Sequence, residues 1–380
     1  MTVEGPALEP ESANLYAQIV TRTQKQHRLF SVHWELTYRC NERCTHCYLD
    51  VLAPSAEAPG ELNTQECFRV VDELAALGVL NLTFSGGEIL VRRDFFEIAE
   101  YAHSKRFLLR LFTNGTLVKP AVADRIAALH PYAVEVSLYG VDAETHEYVT
   151  RLPRSFELSL RALRLLHERG VHTVLKTPLM HHNVRQYDAL QALAEELGAQ
   201  FRHSVTITPQ DTGGLDPLRH RMTDDDLLWF FRKTIEPGDW EKRTLPPDAR
   251  TCGIALNACD LDPYGNVFPC VQTRIAAGNV REQSLPGIWQ ESPLWTELGK
   301  LTLSELPVCG QCELRSFCVR CHGLAQVEDG DLRGPASVNC REALVRRQVL
   351  IEKSALPADY SIPAHLQTPI GWRVPVQSVA

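Results

Sequence analysis

The sequence predicts an α/β fold built on a parallel sheet and followed by a cysteine-rich second domain. Three observations carry this. From residue 31 to 208 short apolar strands alternate with amphipathic helices, the pattern of successive βαβ units. Polar, glycine-bearing motifs fall just after those strands. Eight of the twelve cysteines lie beyond residue 250.

The elements follow in order. Residues 1–30 form an N-terminal extension. Met1 to Glu11 carries Glu and Pro and no apolar core, unlike a secretory signal. Strands are expected at Val32–Leu36, Asn81–Phe84, Leu108–Phe112, Ala133–Leu138, His172–Lys176 and Phe201–Ile207. Between them, helical patterns cover Thr64–Leu77, Asp94–His103, Ala121–Leu129, Phe156–Glu168 and Tyr187–Leu197, with Gly78, Gly170 and Gly198 at helix stops. Residues 209–250 read as a linker or insert, punctuated by prolines around one helical stretch near Asp224–Thr234. The cysteine-rich domain spans 251–345. From Ala355 the prolines Pro357, Pro363, Pro369 and Pro375 rule out a continuous helix. The segment 346–380 is therefore a helix end followed by a Pro-rich tail, either an extended strap or disordered.

Composition narrows the class. The chain has 380 residues, is 44% hydrophobic, and sets Lys+Arg 39 against Asp+Glu 47 for a formal charge of -8. No basic block suggests nucleic-acid binding, and no segment has the length and purity of a membrane span. A cytoplasmic enzyme is expected. In that compartment twelve cysteines point to metal or redox chemistry rather than disulfides.

Cys40, Cys44 and Cys47 stand at CxxxCxxC spacing directly after the first strand. Three thiolates on one loop can hold three irons of a cubane and leave the fourth open to a ligand; taken alone, the triplet could also be a zinc fragment. Ser85-Gly86-Gly87-Glu88 follows the second strand, Thr113-Asn114-Gly115 the third, and Glu135 and Ser137 share a face of the fourth. Active sites of barrels with parallel strands gather at this carboxyl edge.

These residues resemble the cluster loop and cofactor site of radical S-adenosylmethionine (SAM) enzymes. The resemblance implies a partial (β/α)6 barrel, since six strands are too few to close an eight-stranded one. It implies that Cys40, Cys44 and Cys47 ligate a [4Fe–4S] cluster and that SAM chelates the open iron. Tyr48 would pack near adenine. Gly86, Gly87 and Glu88 would hold the methionine amino group through exposed backbone. Glu135 and Ser137 would contact ribose hydroxyls, and Asn114 and Arg151, or Arg154, are polar candidates for sugar or carboxylate. The chemistry implied is reductive cleavage of SAM to a 5'-deoxyadenosyl radical that abstracts hydrogen from a substrate.

Beyond residue 250 stand Cys252, Cys259, Cys270, Cys309, Cys312, Cys318, Cys321 and Cys340. Their CxxC pairs would suit zinc if they stood alone. With Asp262-Pro263-Tyr264-Gly265 and Phe268-Pro269-Cys270 they resemble the SPASM domain, which holds two auxiliary [4Fe–4S] clusters. One departure is the two-residue gap between Cys318 and Cys321, where three is usual. The family pattern assigns Cys252, Cys259, Cys270 and Cys321 to one cluster, and Cys309, Cys312, Cys318 and Cys340 to the other. Fully capped clusters would be electron relays or structural centres. Cys67, spaced with Val70, Val71 and Leu74, reads as a buried small hydrophobe. His46, His181 and His182 read as incidental loop histidines.

The resemblance implies a peptide substrate, cross-linked or oxidised by a ribosomal-peptide maturase. Val271 stands where sulfatase-maturing members carry an aspartate, which disfavours that branch. About thirty residues precede the first strand, too few for a fused recognition domain, so a separate peptide-recognition protein is expected. A flavodoxin- or ferredoxin-type electron donor is expected by analogy. Two alternatives stand: an enzyme of haem or modified-tetrapyrrole biosynthesis, and an Fe–S electron-transfer protein without SAM turnover. Asp211, Asp216 and Asp260 are candidate bases.

Overall fold

A computed structural model describes residues 10–239 and 245–367. The part of the Pro-rich tail from residue 368 and the first nine residues lie outside the described residues.

All six expected strands form: β1 (Ser31–Glu35), β2 (Asn81–Ser85), β3 (Leu108–Thr113), β4 (Ala133–Ser137), β5 (Thr173–Pro178) and β6 (Gln200–Ser204). They pair in parallel in sequence order. Seven helices belong to this body: α1 (Pro10–Lys25), α2 (Thr64–Ala76), α3 (Phe95–Ser104), α4 (Pro120–Ala128), α5 (Ala143–Thr150), α6 (Ser155–His167) and α7 (Tyr187–Glu196). Local chemistry sets their ends. Asn63 and Glu66 form a reciprocal capping box at the start of α2, satisfying two orphan amides. Gly78 takes φ +73 just beyond its end, a left-handed conformation that favours glycine.

The strand period of two decides what each side chain faces. Val32 and Trp34 of β1 join the main core, where Trp34 meets Phe84 of β2 at 5.9 Å between ring centroids. His33 and Glu35 point to the other face. There His33 meets Phe112 of β3 edge-on at 5.5 Å. This inner face is the bowl of the partial barrel.

The cysteine-rich segment continues the sheet. β7 (Ala258–Leu261) pairs in parallel with β1, and β8 (Asn266–Phe268) and β9 (Gly278–Asn279) add antiparallel strands. The strand order is β6-β5-β4-β3-β2-β1-β7-β8-β9. α8 (Asp224–Thr234) lies in the insert. The remaining long elements are α9 (Leu285–Glu291), α10 (Pro293–Gly299), α11 (His322–Asp329) and α12 (Ser337–Glu352). α9 docks on the barrel, its Leu285 amide donating to Glu73 of α2 at 2.6 Å. Phe230 and Phe231 of α8 and Val349 and Leu350 of α12 build a second, smaller core. No helix among the described residues is long and apolar enough to cross a membrane.

Candidate active site

The cysteine loop leaves the carboxyl end of β1 and is held at several points. The Cys40 amide donates to the Leu52 carbonyl at 2.9 Å, and the Arg43 and Thr45 amides donate to the carbonyls of Thr150 and Val149 at 3.0 and 2.9 Å. The last two contacts seat the loop on α5, an element sequence patterning did not reveal.

The glycine motif is fastened to the same loop. The Gly87 amide donates to the Thr37 carbonyl at 2.8 Å and the Glu88 amide to the Arg39 carbonyl at 2.9 Å. A Cβ on Gly87 would stand 2.4 Å from the Arg39 oxygen and 3.0 Å from Cys40 Cβ, and one on Gly86 (φ +126) would stand 2.3 Å from the Thr37 oxygen. Only glycine fits so close an approach. These two amides are already engaged, so what this turn can offer a ligand is carbonyl oxygen, the acceptor an ammonium group needs.

Glu88 is fully buried. Its carboxylate accepts the Thr113 hydroxyl at 2.8 Å, the Asn114 amide at 2.7 Å and the Leu90 amide at 3.0 Å. It therefore ties the end of β2 to the end of β3. Asn114 in turn donates to Asn41 of the cysteine loop at 2.9 Å. Burial raises the pKa of Glu88, while the bonds it accepts from Asn114 and Leu90 pull it down.

The three loop thiols are free and face one another closely enough to act on each other's ionisation. Burial pushes Cys40 up to about 12, Cys47 up to about 11, and Cys44 well above the usual range. Buried neutral thiols that converge without a disulfide are the donor set a metal cluster would convert to thiolates. The residues present thus fit a three-cysteine cluster with its glycine cradle.

Two neighbours were not legible beforehand. Tyr139 is buried, with its hydroxyl 3.8 Å from Cys44 Sγ and its ring edge-on to His46 at 4.8 Å. It continues the spacing of Glu135 and Ser137, the one signal that could have found it. Glu42, inside the loop, accepts from Cys44 Sγ at 3.3 Å and is pushed up to about 8 by burial.

The other expected contacts divide between the bowl and its rim. Tyr48 donates to Glu35 at 2.6 Å. Both Glu35 oxygens also accept from Nη2 of Arg274, at 2.9 and 3.0 Å, while Nη1 of Arg274 donates to Asp260 at 3.0 Å. Asp260 is fully buried, and burial beside Glu35 drives its carboxyl well above the usual carboxylate range. Asp211 is half-buried near the loop, whereas Asp216 is exposed and pairs with Arg219. Glu135 lies across the bowl among three cations: Arg110 at 2.6 Å, Lys176 at 3.1 Å and Arg202 at 3.7 Å. Burial opposes its charge, but Lys176 and Arg110 outweigh that and hold its pKa below the ordinary value. Ser137 is half-buried beside the Tyr139 hydroxyl. Arg151 ends α5 with φ 58 and lies exposed over the Tyr148 ring at 4.9 Å.

In the C-terminal domain Cys312, Cys318 and Cys340 each feel the Cys309 thiol, and Cys318 and Cys340 also feel Cys312, so the four form one group. Cys252, Cys270 and Cys321 form a second. Cys259 does not join it. Its parallel register opposite Val32 turns its side chain into the barrel core, 4% exposed, and the one ionisable neighbour acting on it is Asp260. The next residue, Asp260, is opposite His33 and so takes the bowl side. Cys67 is fully buried in the same core.

Comparison with known proteins agrees with this geometry. Residues 34–194 match the model of the radical SAM superfamily, and residues 252–313 match the SPASM iron-sulfur cluster-binding domain. An AdoMet-dependent heme synthase of Methanosarcina barkeri is 30% identical over 79% of this chain and 93% of its own length. The chain belongs to the radical SAM superfamily. A mycofactocin maturase, MftC, of Mycobacterium ulcerans is 32% identical over 75% of this chain and 80% of its own. Among solved structures, Streptococcus suis SuiB bound to precursor peptide SuiA shares the fold with a TM-score of 0.63 at 14% identity, covering 88% of this chain and 82% of that one. The chain is thus a radical SAM enzyme with a SPASM domain, and its cofactors are a [4Fe–4S] cluster with SAM and auxiliary clusters in the C-terminal domain.

Proposed function

We propose that this enzyme oxidises a ribosomally made peptide, with Cys40, Cys44 and Cys47 holding the cluster that binds SAM. When bound, the cluster and SAM supply a 5'-deoxyadenosyl radical that takes a hydrogen atom from the substrate. The chain's own residues do the rest. Glu88 and Asn114 fix the loop, the Gly86–Gly87 carbonyls receive an ammonium, and Tyr48, Ser137 and Tyr139 border the space beside the thiols.

The observation that carries the substrate reading is the charge around Glu135, on one side of the bowl. Arg110, Lys176 and Arg202 surround one carboxylate, Glu135, leaving an excess of positive charge for a substrate carboxylate. A peptide offers such groups at its C-terminus and on acidic side chains. The maturase relative and the peptide-bound structural neighbour support a peptide. A separate recognition protein and a flavodoxin- or ferredoxin-type donor complete the reading.

A tetrapyrrole propionate would satisfy the same cations. That second reading is favoured by the heme synthase relative, matched over 93% of its length. Anaerobic holoenzyme with SAM and reductant should be offered two substrates in parallel: short peptides encoded beside the gene and a propionate-bearing tetrapyrrole. A peptide mass change with matching 5'-deoxyadenosine supports the first reading. Turnover of the tetrapyrrole alone overturns it.

A further inference from the structure

Three histidines that the cluster site does not use meet at the carboxyl edge of the sheet. His181 and His182 lie in the turn after β5, and His220 ends the short helical turn Asp216–His220 of the insert. One ring nitrogen from each falls within 4.8 Å of the others. The His181 and His220 rings lie parallel, 6° apart at 6.0 Å, and His182 stands edge-on to them at 4.9 and 5.7 Å.

Two of these rings lack the hydrogen bonds that burial demands. Neither ring nitrogen of His182 has a partner, nor does Nδ1 of His220, although all three atoms are shielded from solvent. Buried polar atoms left unpaired are costly. Here several converge on one point, with no carboxylate or thiol in the group.

The scaffold around them is stiff. The Asn183 side chain accepts from the Met180 amide at 2.7 Å and donates to the Tyr139 and Pro178 carbonyls at 3.1 Å each. The His181 amide donates to the His220 carbonyl at 3.2 Å, joining the two segments. Arg221 anchors the insert to the Ile207 carbonyl at 2.7 Å and to Glu328 of α11 at 2.6 Å. Such support positions ligands before a metal arrives. The Tyr148 ring closes one side, 5.0 Å from His182.

We propose that His181, His182 and His220 bind one divalent transition-metal ion of the zinc class. Three imidazoles are a sufficient protein donor set for such an ion, and a fourth position stays open to water or a substrate oxygen. Nitrogen donors set this site apart from the thiol groups that suit Fe–S clusters. His46, between Cys44 and Cys47, is close enough to act electrostatically on His182. The ion would therefore adjoin the cluster loop.

The test uses cluster-loaded holoenzyme dialysed anaerobically against zinc, with zinc and iron measured per chain and the zinc absorption edge recorded. The expected result is about one zinc per chain, with a nitrogen shell at about 2.0–2.1 Å. His182→Ala and His220→Gln should each lose that zinc and keep their iron. No retained zinc, zinc retained in both variants, or a sulfur shell near about 2.3 Å would overturn the assignment. Should a variant fail to hold iron, the wild-type spectrum decides by itself.

Discussion

Replacing Cys259 with alanine separates the observed geometry from the family's eight-cysteine pattern. Cys259 is 4% exposed in the core opposite Val32, so Cys259→Ala removes one buried sulfur and leaves a small void. Truncations of this size cost about 1–2 kcal/mol, or about 1–3 °C in thermal midpoint for a chain of 380 residues. The iron should not change. Cys270→Ala, by contrast, removes a member of the Cys252–Cys270–Cys321 group and should cost about four irons per chain. The assay is iron and acid-labile sulfide per chain after anaerobic reconstitution, run beside a melting curve. If Cys259→Ala loses a cluster's worth of iron while its melting point matches the wild type, the assignment of Cys259 to the core is wrong.

Other consequences are equally direct. Gly87→Ala places a Cβ 2.4 Å from the Arg39 carbonyl. Overpacking of about 1–3 kcal/mol in the loop should cut 5'-deoxyadenosine formation at least about tenfold, whereas Gly299→Ala, with open space around it and no positive φ, should leave the rate within about twofold. Arg274→Met strands Glu35 and Asp260 without their shared cation. Urea unfolding should show a loss of about 3–5 kcal/mol, and an unchanged midpoint would contradict the ion triad. His146 is fully buried and lowered to about 4 by burial. Its unfolded form takes up a proton below about 6.5, so its stabilisation is complete above that pH. It declines as pH falls toward the folded pKa. Between pH 7 and 5 its share of the loss should be about 2 kcal/mol, and His146→Gln should reduce the pH-dependent loss by that amount.

The strands were legible because they are short apolar runs bounded by glycine and polar residues, and β1–β5 each fall within two residues of expectation. α5 escaped notice. It has only eight residues, and its start depends on the Asp142 side chain accepting the Thr145 amide. α1 carries little apolar pattern to mark it as a helix, since most of its residues are polar. The thiol loop and glycine motif were visible because spacing along the chain encodes them. The direction of the Cys259 side chain depends on β7 joining β1, which spacing cannot show. The Glu35–Arg274 pair spans 239 positions, and His220 reaches His181 only through the fold of the insert. Such contacts exist only once the sheet has formed.

Reductive cleavage of SAM is the most direct test of the whole account. Anaerobically reconstituted enzyme, given SAM and a strong reductant, should form 5'-deoxyadenosine. The variant with Cys40, Cys44 and Cys47 all changed to alanine should form none while keeping its C-terminal iron. Product from the triple variant, or none from cluster-loaded wild type with or without substrate, would contradict the assignment of this loop.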